Sequence, residues 1–191
     1  MLPIVAYGHP VLRKISREIG RDHPGLQDLI HNMFETMYES VGVGLAAPQV
    51  NRSIRLFIVD ASAYGDKIPE AAGFKKVFIN PEILEESGEE HSIDEGCLSI
   101  PHIREDVTRQ EKVRIKYYDE HWAFHEEQYG GIVARIIQHE YDHLEGILFT
   151  DKISSLRKTL IRKKLHDITK GKVNTDYKMI FAPRRKKLSN A

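Results

Sequence analysis

Gln138-His139-Glu140-Tyr141-Asp142-His143 sets two imidazoles four residues apart, and the reading of that spacing decides which part of the chain must be helical. Positions i and i+4 share one face of a helix, so His139 and His143 come within reach of a single divalent ion. Glu140 is offset by one position, poorly placed to ligate that ion but able to face a water beside it. This is the division of labour of a His-Glu-x-x-His helix, two ligands and a general base. The flanks supply the helix. After Gly130-Gly131, apolar residues recur at Ile132, Val133, Ile136, Ile137, Leu144 and Ile147, a period of about 3.6 that buries one face. Gly146 then offers a stop.

The third ligand determines the kind of site. Metzincin-type proteases continue the motif with a Gly and then a His. Gly146 fits the first, but Phe149 stands at the second and cannot bind a metal. No Glu follows Glu145, and Asp151, Asp167 and Asp176 remain open but have no motif around them. Upstream, the only cysteine of the chain stands in Glu95-Gly96-Cys97-Leu98-Ser99-Ile100-Pro101. A lone Cys is by default a small buried hydrophobe; the His pair favours reading Cys97 as a ligand. One thiolate and two imidazoles leave a fourth tetrahedral position for water, a catalytic arrangement rather than a closed structural one.

The 191 residues suffice for one domain with a core and are few for two, and 41% hydrophobic with 29% charged residues is ordinary globular composition. One cysteine excludes a disulfide framework and suits a reducing compartment. The start Met1-Leu2-Pro3-Ile4-Val5-Ala6-Tyr7 has neither a basic n-region nor a long apolar core, so no signal peptide and no membrane span are expected. Residues 154–191 carry 12 Lys and Arg against 2 Asp and Glu, a net of +10, which leaves the body of this neutral chain at −10. A basic end on an acidic body points to an anionic partner.

Residues 24–41 read as a first helix, with Leu26, Leu29, Ile30, Met33, Phe34, Met37 and Val41 as its apolar stripe and Gly42 as its end. Gly42-Val43-Gly44-Leu45-Ala46-Ala47-Pro48-Gln49 follows, where small residues permit close backbone approach and Gln49 offers an amide that donates and accepts. Strands are expected at 54–59, at 76–79 closed by Pro81, through Val113, Ile115 and Tyr117, and at 124–128; 61–73 reads as a surface loop. Hairpin-like strands before the motif helix argue for an α+β fold, with antiparallel or mixed β-sheets packed around a central metal-binding helix and a C-terminal helix. Residues 1–170 are expected to form one catalytic domain, including a basic helix from about 154, with 171–191 a basic tail. In residues 154–168, Leu156, Leu160, Ile161, Leu165 and Ile168 make one stripe, with Arg157, Lys158, Arg162, Lys163 and Lys164 mostly elsewhere.

Three segments together resemble the peptide deformylase family, which is recognised by Gly-x-Gly-Leu-Ala-Ala-x-Gln, Glu-Gly-Cys-x-Ser and His-Glu-x-Asp-His. They stand here, in order, at 42–49, 95–99 and 139–143, and Tyr7-Gly8-His9-Pro10-Val11-Leu12-Arg13 adds to the likeness. The resemblance, closest to the bacterial first class, implies removal of the formyl group from N-terminal formylmethionine of nascent polypeptides in the cytoplasm. It implies Cys97, His139 and His143 as ligands of one divalent metal, Fe(II) natively, with Zn, Ni or Co able to use the same donors. Glu140 would be the base, and the Leu98 N–H and Gln49 amide would face the oxyanion. The methionine pocket and peptide path would involve Val43, Gly44, Leu45, Ile93, Glu95, Gly96, Ile132, Arg135 and Ile136. An aliphatic residue is more usual in the family at Arg135, which is expected to pack its stem over the pocket mouth and keep its charge in water. Arg104 and Arg109 resemble positions near the exit of the peptide path, or are solvated strand-edge charges. The basic C-terminal region, including Arg184-Arg185-Lys186-Lys187, suits docking on the ribosome; no DNA or membrane partner is expected. Two other readings stand beside this one, a zinc-type metallopeptidase cutting internal bonds and a non-enzymatic ribosome-binding module with a structural metal.

Overall fold

The computed structural model describes residues 1–183; Arg184-Arg185-Lys186-Lys187 lie outside the described residues. Among the described residues, seven strands and four α-helices make an α+β fold: β1 (Ile4–Val5), α1 (Leu26–Glu39), β2 (Gly44–Ala46), β3 (Leu56–Asp60), β4 (Lys75–Cys97), β5 (Ile100–Tyr118), β6 (Phe124–Gly130), α2 (Gly131–Leu144), α3 (Phe149–Lys152), α4 (Ser155–Thr169) and β7 (Met179–Ile180). An antiparallel sheet runs β2-β3-β4-β5-β6, and β1 pairs with β7 in parallel. The sheets are therefore mixed, as the pattern of strands predicts. Among the described residues no helix is long and apolar enough to cross a membrane.

The motif helix α2 buries Val133, Ala134, Ile136, Ile137 and Leu144 against Phe57, Phe78, Val113, Ile115 and Tyr117 of the sheet. The apolar face of α1 packs with Leu45, Leu56 and Ile58, while Ile161, Leu165 and Ile168 of α4 join β1 and β5 in a third cluster. Apolar burial on both sides of the sheet thus fixes α2, and with it the imidazoles, against a rigid surface.

Several expectations change. The strand expected to end at Pro81 continues to Cys97, because a register shift between Ile79 and Glu82 absorbs the proline, with Asn80 at φ 48°; bulges are among the few places in a sheet where proline fits. The next strand begins at Ile100, well before Val113. Val41 belongs to no apolar stripe: α1 ends at Glu39, and Val41 takes φ 56° and is 92% exposed. Leu156 and Leu160 are also exposed, since α4 turns only Ile161, Leu165 and Ile168 inward. After α4 the chain returns to the body, where Ile4 and Ala6 N–H groups donate to Lys178 and Ile180 carbonyls, both at 2.8 Å.

Candidate active site and metal centre

Cys97 is the last residue of β4, and the two-residue turn Leu98-Ser99 leads into β5 at Ile100, its partner across the hairpin. The hairpin tip therefore carries the thiol to the face of α2 that bears His139 and His143. The ligating atoms of Cys97, His139 and His143 all lie within 4.8 Å of one another, and Cys97 Sγ is 3.3 Å from His143 Nε2. Bonds of about 2.0–2.3 Å to a tetrahedral ion require donors about 3.3–3.8 Å apart, so small side-chain movements close the set on one ion. The donor chemistry fits as well, a soft thiolate with two imidazoles suiting Fe(II), Zn, Ni or Co.

Behind the three clustered side chains lies a buried ionic network. Glu95 Oε2 is 2.9 Å from His139 Nδ1, an arrangement that leaves Nε2 for the cluster. The same carboxylate accepts from Arg109 Nε at 2.7 Å and Nη2 at 3.0 Å, and from Arg135 Nη1 at 3.0 Å. Arg109 Nη1 also donates to Asp142 at 2.7 Å. Two guanidinium groups thus meet two carboxylates under full burial, which is tolerable only because each is paired. Burial alone would raise the Glu95 carboxyl, but His139 and Arg109 outweigh it and hold it far below the usual range. Burial likewise opposes a charge on His139, yet Cys97 and Glu95 raise its proton affinity. Burial and the neighbouring charges of His139 and Arg109 lower the proton affinity of His143.

The network corrects two expectations. Arg109 is neither a solvated edge charge nor at the exit of a path; at 5% exposure it is the hub between Glu95 and Asp142. Arg135 does not hold its charge in water. Its guanidinium turns inward to Glu95 and donates to the carbonyls of Val107 at 2.7 Å and His91 at 2.6 Å, because Glu95 and those strand carbonyls offer it more than solvent at the pocket mouth does.

Glu140 is 5% exposed and its Oε2 has no hydrogen-bond partner among the described residues. Burial pushes its pKa up to about 7. Gly44 explains how it fits: a Cβ there would stand 2.5 Å from Glu140 Oε1. Gln49 is oriented by the Ala46 N–H, which donates to its Oε1 at 2.8 Å and turns Nε2 toward Cys97 Sγ and Ser99 Oγ, each at 3.4 Å. The donor end of the amide therefore faces the Cys97 corner of the cluster.

All of this opens on a cavity of about 640 Å³. Val43, Gly44, Gln49, Ile93, Glu95, Gly96, Cys97, Leu98, Arg104, Ile132, Arg135, Ile136, His139 and Glu140 line it. Leu45 does not: its side chain is wholly buried in the core and its backbone pairs with Ile58. Arg104 holds Asp94 at 2.5 Å on the exposed side. His143 sits deeper, 1% exposed. The cavity also takes in residues that sequence reasoning missed, namely Val41, Tyr64, His102 and the returning Asn174, Thr175 and Tyr177, beside Asp176, an acid left open as a ligand that lines the cavity but does not join the Cys97, His139 and His143 cluster. No motif or period marks those four; the parallel pairing of β7 with β1, with hydrogen bonds from His102 to Asn174 and from Tyr177 to Leu98, brings them there.

A family model described as polypeptide deformylase matches residues 1–159. A peptide deformylase of Christiangramia forsetii is 55% identical over 98% of both chains, and one of Flavobacterium psychrophilum is 54% identical over 97% of this chain and all of its own. Among solved structures, the peptide deformylase of Plasmodium falciparum superposes with a TM-score of 0.79 at 41% identity, covering 88% of this chain and 95% of that one. That of Legionella pneumophila gives 0.78 at 39%, covering 89% and 96%. With its Cys-His-His cluster at the floor of the cleft and relatives matching over nearly the whole length, the chain belongs to the peptide deformylase family.

Proposed function

We propose that the chain removes the formyl group from the N-terminal formylmethionine of newly made polypeptides, releasing formate. The observation that carries this reading is the convergence of Cys97, His139 and His143 beside an unpartnered Glu140 carboxylate at the floor of an open cleft. Cys97, His139 and His143 would hold one divalent ion, which we assign as Fe(II). When bound, such an ion acts as a Lewis acid that makes water nucleophilic near neutral pH.

The residues divide the remaining work. Val43, Ile93, Ile132 and Ile136 offer the methionine side chain an apolar pocket, and β2, at the edge of its sheet, pairs with the peptide backbone as an added strand. That mode tolerates many sequences after the methionine. Glu140 accepts the proton of the attacking water and delivers it to the departing amine. The Leu98 N–H and the Gln49 amide donate to the oxygen that gains charge as the carbonyl becomes tetrahedral. Glu95, through His139 Nδ1, orients one ligand.

We place the chain in the bacterial cytoplasm and at the ribosome. The exposed Arg162, Lys163 and Lys164 of α4 form a basic face next to exposed Leu156 and Leu160, suited to an RNA-rich surface.

The test of the chemistry is Glu140→Gln. It keeps the metal, because Glu140 is no ligand, and lowers kcat by about 10²- to 10⁴-fold. Near-normal kcat, or loss of metal, contradicts the assigned role.

A further inference from the structure

The returning C-terminal segment does more than line the cleft. Tyr177 donates its hydroxyl to the carbonyl of Leu98 at 2.8 Å. Leu98 and Ser99 are the only residues between β4 and β5, so the carbonyl that Tyr177 holds belongs to a two-residue turn at the hairpin tip. Two-residue hairpin turns favour types I′ and II′, which differ by rotation of the central peptide plane, here Leu98-Ser99, and a held carbonyl fixes that plane together with the Leu98 α-carbon at its end. Leu98 is also the residue whose N–H would serve the developing oxyanion. That N–H belongs to the preceding Cys97-Leu98 peptide unit, which shares the Leu98 α-carbon with the held one, so a shift of the tip displaces the donor.

The rest of the turn is pinned by the same part of the fold. Tyr7 N–H donates to the Ser99 carbonyl at 2.8 Å, while Ile4 and Ala6, just before it, hold the return strand through Lys178 and Ile180. The N-terminal strand thereby fixes the distance between the hairpin tip and the segment that carries Tyr177. Thr175 Oγ1 donates to the Tyr177 carbonyl at 2.7 Å, and the ring of His102 donates to the Asn174 carbonyl at 2.7 Å. The segment is thus tied to β5 on one side and to itself on the other.

We infer that Tyr177 is a positioning residue for catalysis: by holding the Leu98 carbonyl, its hydroxyl anchors the hairpin tip at the Leu98 α-carbon, so that the Leu98 N–H keeps its place at the oxyanion. The inference rests on the reading of Leu98 given under Proposed function. It assigns to the C-terminal return segment a role in the chemical step, although none of its atoms touches the reacting carbonyl.

Tyr177→Phe removes the hydroxyl and keeps the ring. Direct loss of an oxyanion donor costs about 10²- to 10³-fold in kcat; an indirect clamp is expected to cost less, about 3- to 30-fold. The metal-loaded full chain is assayed on formyl-Met-Ala-Ser beside wild type and Gln49→Glu, which keeps the acceptor toward Ala46 N–H and removes the amide donor. The expected result is a lower kcat for Tyr177→Phe, with KM within about twofold and with metal content and Tm as in wild type. If kcat falls only together with Tm or metal content, Tyr177 is mere scaffold and the inference is overturned. If Gln49→Glu lowers kcat and Tyr177→Phe does not, the clamp is refuted while the oxyanion reading stands. If neither lowers kcat, the oxyanion reading itself fails and takes the inference with it.

Discussion

Glu95 and His139 lie on different elements, β4 and α2, yet a carboxylate oxygen of the one stands 2.9 Å from Nδ1 of the other. That contact joins the ligand to the buried guanidinium groups of Arg109 and Arg135. Partners of ligating imidazoles typically contribute 10- to 100-fold in metal affinity, so Glu95→Gln is expected to weaken metal retention by about that factor. Competition with a chelator measures it, and unchanged retention would show that the contact does not orient the ligand.

Arg109→Ala leaves Glu95 and Asp142 without their shared partner at full burial. The expected loss of stability is about 3–5 kcal/mol, read from denaturant midpoints. A loss under about 1 kcal/mol would mean that water or rearrangement solvates the two carboxylates.

Gly44→Ala places a methyl where the Glu140 carboxylate lies. The strand can keep its pairing if the Glu140 side chain moves from its Cγ outward, since Cγ, Cδ and Oε1 all lie within 2.9 Å of the added carbon, and the proposed base is then displaced. The chain is expected to fold and bind metal while kcat falls at least about tenfold, within the range a general base contributes. Unimpaired turnover would show that Glu140 works from another position.

Glu127 accepts from Lys76 Nζ at 2.7 Å and from the hydroxyls of Tyr117 and Tyr129. Burial alone would raise its carboxyl, but these partners bring the pKa down to about 2 from the ordinary 4.5. A folded-state value below the unfolded one means that the contribution is complete above about 4.5 and is lost as pH falls toward 2. The stability gap between wild type and Glu127→Gln should therefore shrink between pH 6 and about pH 3.5. A constant gap would contradict the network.

Much of the site was legible because its motifs are local: His139, Glu140 and His143 share one helix, and Cys97 stands in a distinctive turn. The long strands were less so. On β5 the inward positions Ile103, Glu105, Val107 and Arg109 alternate regularly, but two of the four are charged and break the apolar pattern. Their burial depends on partners far along the chain, Arg157 for Glu105 and Glu95 for Arg109. Arg135 misled for the same reason, since nothing in a helix period shows that a carboxylate waits inside. Val41 misled because its left-handed backbone ends the stripe one turn early.

Docking on the ribosome is tested by charge rather than by truncation, since removing α4 would strip Ile161, Leu165 and Ile168 from the core. Replacing Arg162, Lys163 and Lys164 with Glu is expected to abolish salt-sensitive co-sedimentation with ribosomes while activity on a short formyl peptide persists. Equal, salt-insensitive sedimentation of both forms would contradict docking through this face.

The central claim is metal-dependent deformylation at the Cys97, His139 and His143 cluster. The chain is purified without oxygen, its metal content is determined, and formate release is measured with formyl-Met-Ala-Ser and with its unformylated counterpart, for wild type and Cys97→Ser. One divalent ion per chain, formate from the formylated peptide alone, and loss of both ion and activity in Cys97→Ser is the expected result. Full activity of Cys97→Ser without metal, or cleavage of the unformylated peptide in place of formate release, would contradict the account.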